Sequence, residues 1–167
     1  EQEIYHGIMP IKVADEHHFR PLLIVHDLLL HIRVVRNYKS RLLLTRKGTA
    51  TFASRFNSFD IVAQELLFRA PYFDVSHQRD GLLGSWDIWL NVLDVEADTG
   101  VSGQKITETF YGPAPVNTAY DLRTSTLYDR VLMPLVWCGL LTENMDISRR
   151  LSERVYTKTA LWGSYLK

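Results

Sequence analysis

The sequence predicts a mainly helical α+β protein, and three observations carry that expectation. Apolar residues recur at helical spacing along much of the 167-residue chain, the β-favouring runs are short, and those runs occur twice in a similar setting. A hydrophobic content of 46% and a charged content of 23% are ordinary for a folded chain and argue against wholesale disorder. The length suits one generous domain or two small ones.

Residues 1–15 (EQEIYHGIMPIKVAD) read as an extended lead-in, with Pro10 opposing a helix. The segment EHHFRPLLIVHDLLLHI is almost continuously apolar from Leu22 to Leu30, long enough for a buried helix. RVVRNYKSRLLL predicts two short strands about the turn-prone Asn37 to Ser40. The chain returns toward helix over Thr45 to Phe56. NSFDIVAQELLFRAP is a clearer helix, with Ser58 suited to the N-cap, Phe59, Val62 and Leu66 on one face, and Pro71 closing it.

Beyond the loop DVSHQRDG, GSWDIWLNVLDVEAD is helical by the spacing of Trp86, Trp89, Leu90 and Leu93, with Ser85 as cap. TGVSGQKITETFYG reads as a turn and a short helix ending at Gly112-Pro113. NTAYDLRTSTLYDRVLMPLVWCGLL gives a long helix that Pro134 must kink and Gly139 stops. A strand, an eleven-residue polar stretch, a second strand and a return to helix complete the chain.

Two places in this order echo each other. An apolar helix ending near His31 leads through a strand and a basic turn into LLLTRKGTATF. A helix ending at CGLLTE leads through a second basic turn into RVYTKTALWGSYL. Setting Thr45 against Thr157 separates the copies by 112 residues and brings Leu44-Thr45-Arg46 onto Tyr156-Thr157-Lys158. In front of the second copy, the Trp86 helix, the DTGVSG turn and the QKITETF helix form a helix-turn-helix.

On those residues the second half resembles the winged-helix domains of bacterial regulators. Leu135, Gly139, Leu140, Tyr156 and Thr157 fill the places of the usual L-x-x-x-G-L … L-T-x-x-G ending. The usual final glycine is replaced by Ala160, whereas the first copy keeps it as Gly48. The pairing is also similar to that of bacterial proteins with tandem degenerate winged-helix units. The resemblance implies two winged-helix-like units, the first incomplete at its N-terminus: 1–57 a partial unit, 58–80 a connecting helix and loop, and 81–167 a fuller unit. It also implies a helix that lies in the DNA major groove, here DLRTSTLYDR, in which Arg123, Thr124, Thr126 and Arg130 would meet bases and phosphates. Arg149, Arg150 and Arg154 fall on the wing, where they would hold phosphates.

Charge sharpens this picture. The formal net charge is zero, so no partner follows from the total. From His31 to Arg55, however, seven basic residues (Arg33, Arg36, Lys39, Arg41, Arg46, Lys47 and Arg55) occur without an acid. From Asp87 to Asp98 the balance reverses. The Leu22–Leu30 helix is too apolar to read bases, so the first unit would reach nucleic acid through Arg33, Arg36, Lys39, Arg41, Arg46 and Lys47. The helix itself would pack internally or serve self-association or a protein partner.

Other chemistry finds little footing. His17 and His18 point to different faces, and His26 and His31 are five apart, so no zinc set forms. DVEADTG imitates the start of a calcium loop, but its glycine comes one place late and Lys105 stands where the bidentate acid belongs. Cys138, the single cysteine, lies in the apolar run PLVWCGLL and reads as a buried, inert thiol. Gly-rich phosphate loops and G-x-S-x-G elbows do not occur. No run approaches a membrane span, and the start at Glu1 and the end at GSYLK suggest a piece of a longer protein. The expected function is therefore a non-enzymatic, cytoplasmic DNA-binding or regulatory module without cofactor or metal, with double-stranded DNA as partner. The alternative is a degenerate winged-helix scaffold for protein–protein association.

Overall fold

Helix α1 (Arg20–His31) forms where the apolar run is densest, and it buries Ile24 and Leu28. It belongs to the first of two units, Glu1–Tyr72 and Phe73–Lys167, in a computed structural model that describes residues 20–69, 84–113, 122–144 and 150–166. The lead-in, Pro71, the DVSHQRDG loop and the His17-His18 pair lie outside the described residues.

The chain leaves α1 through Arg33, whose φ is +59°. Its N–H donates to the carbonyl of Leu30 (3.0 Å), and the N–H of Val34 reaches back to Leu29 (3.2 Å). This pair of bonds closes the last turn of a helix and normally asks for glycine. Strands β1 (Val35–Tyr38) and β2 (Arg41–Leu44) then pair antiparallel, with Val35 opposite Leu44 and Tyr38 opposite Arg41. Lys39 and Ser40 make the two-residue turn with φ of +48° and +59°, the backbone hand that matches strand twist. The Thr45 side chain accepts from the Gly48 N–H and starts helix α2 (Arg46–Phe52). Helix α3 (Arg55–Gln64) widens into a π turn (Glu65–Arg69) and buries Ala63, Leu66 and Leu67. Its first turn lies earlier than expected. Ser54 occupies the N-cap position, and the Ser58 hydroxyl donates back to the carbonyl of Ser54 (2.8 Å) from inside the helix.

The second unit opens with α4 (Trp86–Glu96). Ser85 holds its N-cap position but donates its hydroxyl to the Asp87 carboxylate instead of capping the backbone. Trp86 and Trp89 meet edge to face at 5.5 Å, and Trp89 and Leu93 are buried. Gly100 (φ +94°) turns the chain into β3 (Val101–Ser102), a strand too short to declare itself in the sequence. Ser102 caps α5 (Gly103–Tyr111).

The long helix runs as α6 (Leu122–Leu127), a π turn (Tyr128–Leu132) and α7 (Met133–Trp137). The widened turn explains how Pro134 is accommodated. The Met133 N–H skips to the carbonyl of Tyr128, opening the ladder just where the proline ring would press on the carbonyl four residues back. Strands β4 (Leu141–Glu143) and β5 (Val155–Lys158) complete a three-stranded antiparallel sheet in the order β3-β5-β4, and α8 (Ala160–Tyr165) follows. Short antiparallel sheets set among helices make this a mainly helical α+β chain.

The hydrogen bonds identify how the two copies correspond. Gly139 (φ +70°) bonds to Val136 and Leu140 to Leu135, repeating the bonds of Arg33 and Val34. The Thr159 hydroxyl donates to the carbonyl of Gly139 (2.7 Å), as the Thr45 hydroxyl does to that of Arg33 (2.8 Å). Leu141 opposes Lys158 just as Val35 opposes Leu44. Thr45 therefore corresponds to Thr159, not to Thr157, and the separation is 106 residues on the first strand and 114 on the second. The eight extra residues lie in the longer turn. In this register Gly48 faces Trp162, not Ala160. A Cβ on Gly48 would lie 2.0 Å from the Val34 carbonyl oxygen, which is why the first copy has glycine there.

The closing strand of the second unit is anchored by charge. The Lys158 ammonium lies 2.9 Å from Asp94 and 2.7 Å from Asp98, and the indole N–H of Trp162 donates to Asp94 (2.8 Å). Two of the three acids of DVEADTG thus grip a lysine of the same unit. The hydrogen bonds from Lys158 and then Trp162 hold the Asp94 carboxyl below its ordinary value of 3.8.

Two tests follow from these contacts. Arg33→Gly and Gly139→Ala change the same backbone position in opposite directions, because a side chain at positive φ costs roughly 1–2 kcal/mol and glycine returns part of that as chain entropy. Thermal unfolding should show Gly139→Ala lowering stability by about 1 kcal/mol or more and Arg33→Gly leaving it equal or higher. A loss in both would refute the correspondence. A carboxyl lowered in the folded state stabilises above its unfolded pKa, and that contribution disappears as pH falls through the folded value. The difference in Tm between the parent and Asp94→Asn should therefore be largest near neutrality and shrink as the pH drops below 3.8. A difference constant with pH would remove the carboxylate from the account.

Candidate nucleic-acid interface

The helix that the winged-helix resemblance selects has its polar side chains engaged within its own unit. Arg123 donates from Nη1 to the carbonyl of Tyr111 (3.1 Å) and from Nη2 to that of Pro113 (3.4 Å). It thereby satisfies carbonyls at the end of α5, where a helix runs out of its own donors. Thr124 is buried. The Thr126 hydroxyl donates to the carbonyl of Leu122 (2.7 Å), and Arg130 lies half-buried in the π turn.

The three arginines expected on a wing divide. Arg149 lies outside the described residues, and Arg150 is exposed. Arg154 turns inward. Its Nη1 donates to Glu143 Oε1 (2.9 Å) and lies 3.4 Å from the Tyr128 hydroxyl, and the guanidinium sits 5.6 Å from the centre of the Tyr128 ring. The Tyr156 hydroxyl donates to the same Glu143 oxygen (3.1 Å). The Glu143 side chain is 4% exposed and that of Arg154 18%, so a buried acid with two donors holds a part-buried arginine. Burial by itself would lower the Arg154 guanidinium, but the bond and charge of Glu143 outweigh it and push it up. Burial, and then the charge of Glu143, push the Tyr156 phenol well above its usual range. The sequence named Arg154 but not its partners. A single acid just ahead of the basic turn was the available signal for Glu143.

In the first unit the charges stay outside. Antiparallel pairing puts Arg36 beside Leu43 and Tyr38 beside Arg41 on one face of the hairpin, with Val35, Asn37, Leu42 and Leu44 on the other. Arg36, Lys39 and Arg41 are exposed, as are Arg33 before the hairpin and Arg46 after it. The Arg36 guanidinium and the Lys39 ammonium lie 5.7 Å and 5.3 Å from the centre of the Tyr38 ring, which is 50% exposed. Lys47 is partly spent, because its ammonium donates to the carbonyl of Ile32 (2.7 Å). The result is an exposed aromatic ring flanked by cations on a hairpin with no acid. Such a surface can pair with phosphates and offer a face for stacking. Tyr38 was absent from the sequence-derived set, although its place between Arg36 and Lys39 at a hairpin turn was visible there.

Elsewhere, Cys138 is buried and its thiol is pushed up to about 12. Among the described residues no helix is long and apolar enough to cross a membrane.

The division into two units recurs in comparisons with known proteins. A family model of the Y4jL N-terminal domain matches residues 1–57, and one of the y4jL C-terminal domain matches residues 76–160. The uncharacterized protein y4jL of Sinorhizobium fredii (strain NBRC 101917 / NGR234) is 29% identical over 103 residues. That stretch is 60% of this chain and 46% of the relative, so the comparison spans about half of that protein. No solved structure matches the chain. With its first 57 residues matching one domain of that family and the C-terminal model spanning half its length, the chain belongs to the y4jL family.

Proposed function

We propose that the chain is a non-enzymatic, cytoplasmic nucleic-acid-binding module made of two winged-helix-like units, and that the first unit supplies the grip. The observation that carries this reading is the exposed, acid-free hairpin with Tyr38 flanked by Arg36 and Lys39. The unit order in the second half, helix–strand–helix–helix–strand–strand with the sheet order β3-β5-β4, supports the winged-helix reading. The engagement of Arg123, Thr124 and Arg154 shifts the expected contact from base reading toward backbone binding. Binding of this kind is driven by counterion release and discriminates little between sequences.

Protein association is the second reading, and a specific observation favours it. Leu22 and Val25 on α1 and Leu42 and Leu44 on the hairpin are about half exposed. Exposed aliphatic side chains of that kind suit a partner protein or a second copy of the chain.

Titration of duplex DNA at several salt concentrations tests the reading. Each phosphate contact contributes a slope of about −0.9 in log K against log salt. Replacing Arg36, Lys39 and Arg41 together by serine should flatten the slope by two to three such contacts and weaken binding alike on unrelated sequences. Arg123→Ala should lower thermal stability without altering sequence preference. Absence of binding at low salt, or an unchanged slope in the triple variant, would overturn the reading. Concentration-dependent self-association in place of DNA binding would then favour the scaffold.

A further inference from the structure

A cleft of about 550 Å³ opens in the first unit between the end of α1 and the end of α3, within the size range of small-molecule sites. Its lining includes a buried acid. Glu65, 8% exposed, opens the π turn, and its Oε1 lies 3.0 Å from the Nε2 of His31 in the last turn of α1. A carboxylate accepts about four hydrogen bonds, so one contact with His31 does not saturate it. The carbonyl end of α1 adds partial negative charge on the same side. Arg33 and Lys47 line the cleft with positive charge, held there by the turn after α1 and by the bond from Lys47 to the Ile32 carbonyl. Ile32 and Ile61 supply apolar wall.

Both signs of charge converge on one concave surface together with aliphatic groups. A simple anion would meet Glu65 and the helix end, and a simple cation would meet Arg33 and Lys47. We propose that this cleft binds a free aliphatic α-amino acid as its zwitterion, the ammonium against Glu65 and the carboxylate against Arg33 and Lys47. Because the cleft shares Arg33 and Lys47 with the root of the hairpin, occupancy would act on the turn from which the hairpin departs. The site stands on its own geometry and does not depend on nucleic-acid binding.

The test uses the full chain with ¹⁵N-labelled amides, titrated separately with leucine, with leucinol (ammonium only) and with 4-methylpentanoate (carboxylate only). Leucine should give saturable shifts at His31, Gln64 and Glu65, and the two single-charge analogues should bind at least tenfold more weakly. Arg33→Gly should weaken leucine at least tenfold while its spectrum stays folded, since glycine suits the +59° backbone at that position. No saturable shift up to about 20 mM leucine, well above a millimolar dissociation constant, would overturn the proposal. So would equal binding of either analogue, or unchanged affinity in Arg33→Gly. DNA titration reads the hairpin independently, so failure of one proposal leaves the other measurable.

Discussion

A threonine hydroxyl at the end of each hairpin sets the geometry on which both units depend. Thr45 donates to the carbonyl of Arg33 and accepts from the N–H of Gly48, and its own N–H donates to Val34. Thr159 repeats the arrangement against Gly139, Leu140 and Leu161. One residue therefore closes the turn after a helix, ends a strand and starts the next helix. Each bond is worth about 1 kcal/mol, but the geometric consequence is larger. Fixing both ends of the hairpin to the same helix terminus defines its register, and a register shift by one residue would exchange its two faces.

With the register fixed, the copies differ in what fills equivalent places. Glu143 opposite Tyr156 in the second unit stands where Asn37 opposite Leu42 stands in the first. Glu143 and Tyr156 are buried and draw Arg154 inward, whereas Asn37 and Leu42 remain exposed. Removing Arg154 would take the charged partner from a Glu143 side chain that is 4% exposed, whereas removing Glu143 would leave Arg154, 18% exposed, a path back to solvent. Strands β4 and β5 of the second unit are thus tied by an ionic network. The hairpin of the first unit relies on its turn and its threonine, and it keeps its cations at the surface.

Much of this fold was legible because helical periodicity and turn chemistry are local. The α1 run, the hairpin about Lys39-Ser40, the stop at Gly139 and the disturbance at Pro134 all declare themselves within a few residues. The internal echo was visible too, but its alignment was two residues off. Matching the letters of Leu44-Thr45-Arg46 to Tyr156-Thr157-Lys158 joined residues of similar type, while the backbone bonds join Thr45 to Thr159. Ser58 was misplaced for a related reason: a serine hydroxyl can accept from a helix start or donate to the carbonyl four residues back, and composition does not choose between them.

The candidate site was less legible, because a charge pattern records how many cations a segment carries and not where they point. Arg154 and Arg36 are equivalent as letters in basic turns. Their fates separate through pairing partners many residues away in sequence: Glu143 lies across the strand from Tyr156 and within reach of Arg154, whereas the hairpin of the first unit contains no acid at all. The cost of burying an unpaired guanidinium then decides the outcome. Arg154 can turn inward only because an acid awaits it, and Arg36, Lys39 and Arg41 must stay in water, over Tyr38 or beside it. A basic turn is a candidate phosphate grip to the extent that its own sheet lacks an acid to claim its charges, and by that criterion the first hairpin qualifies where Arg154 does not.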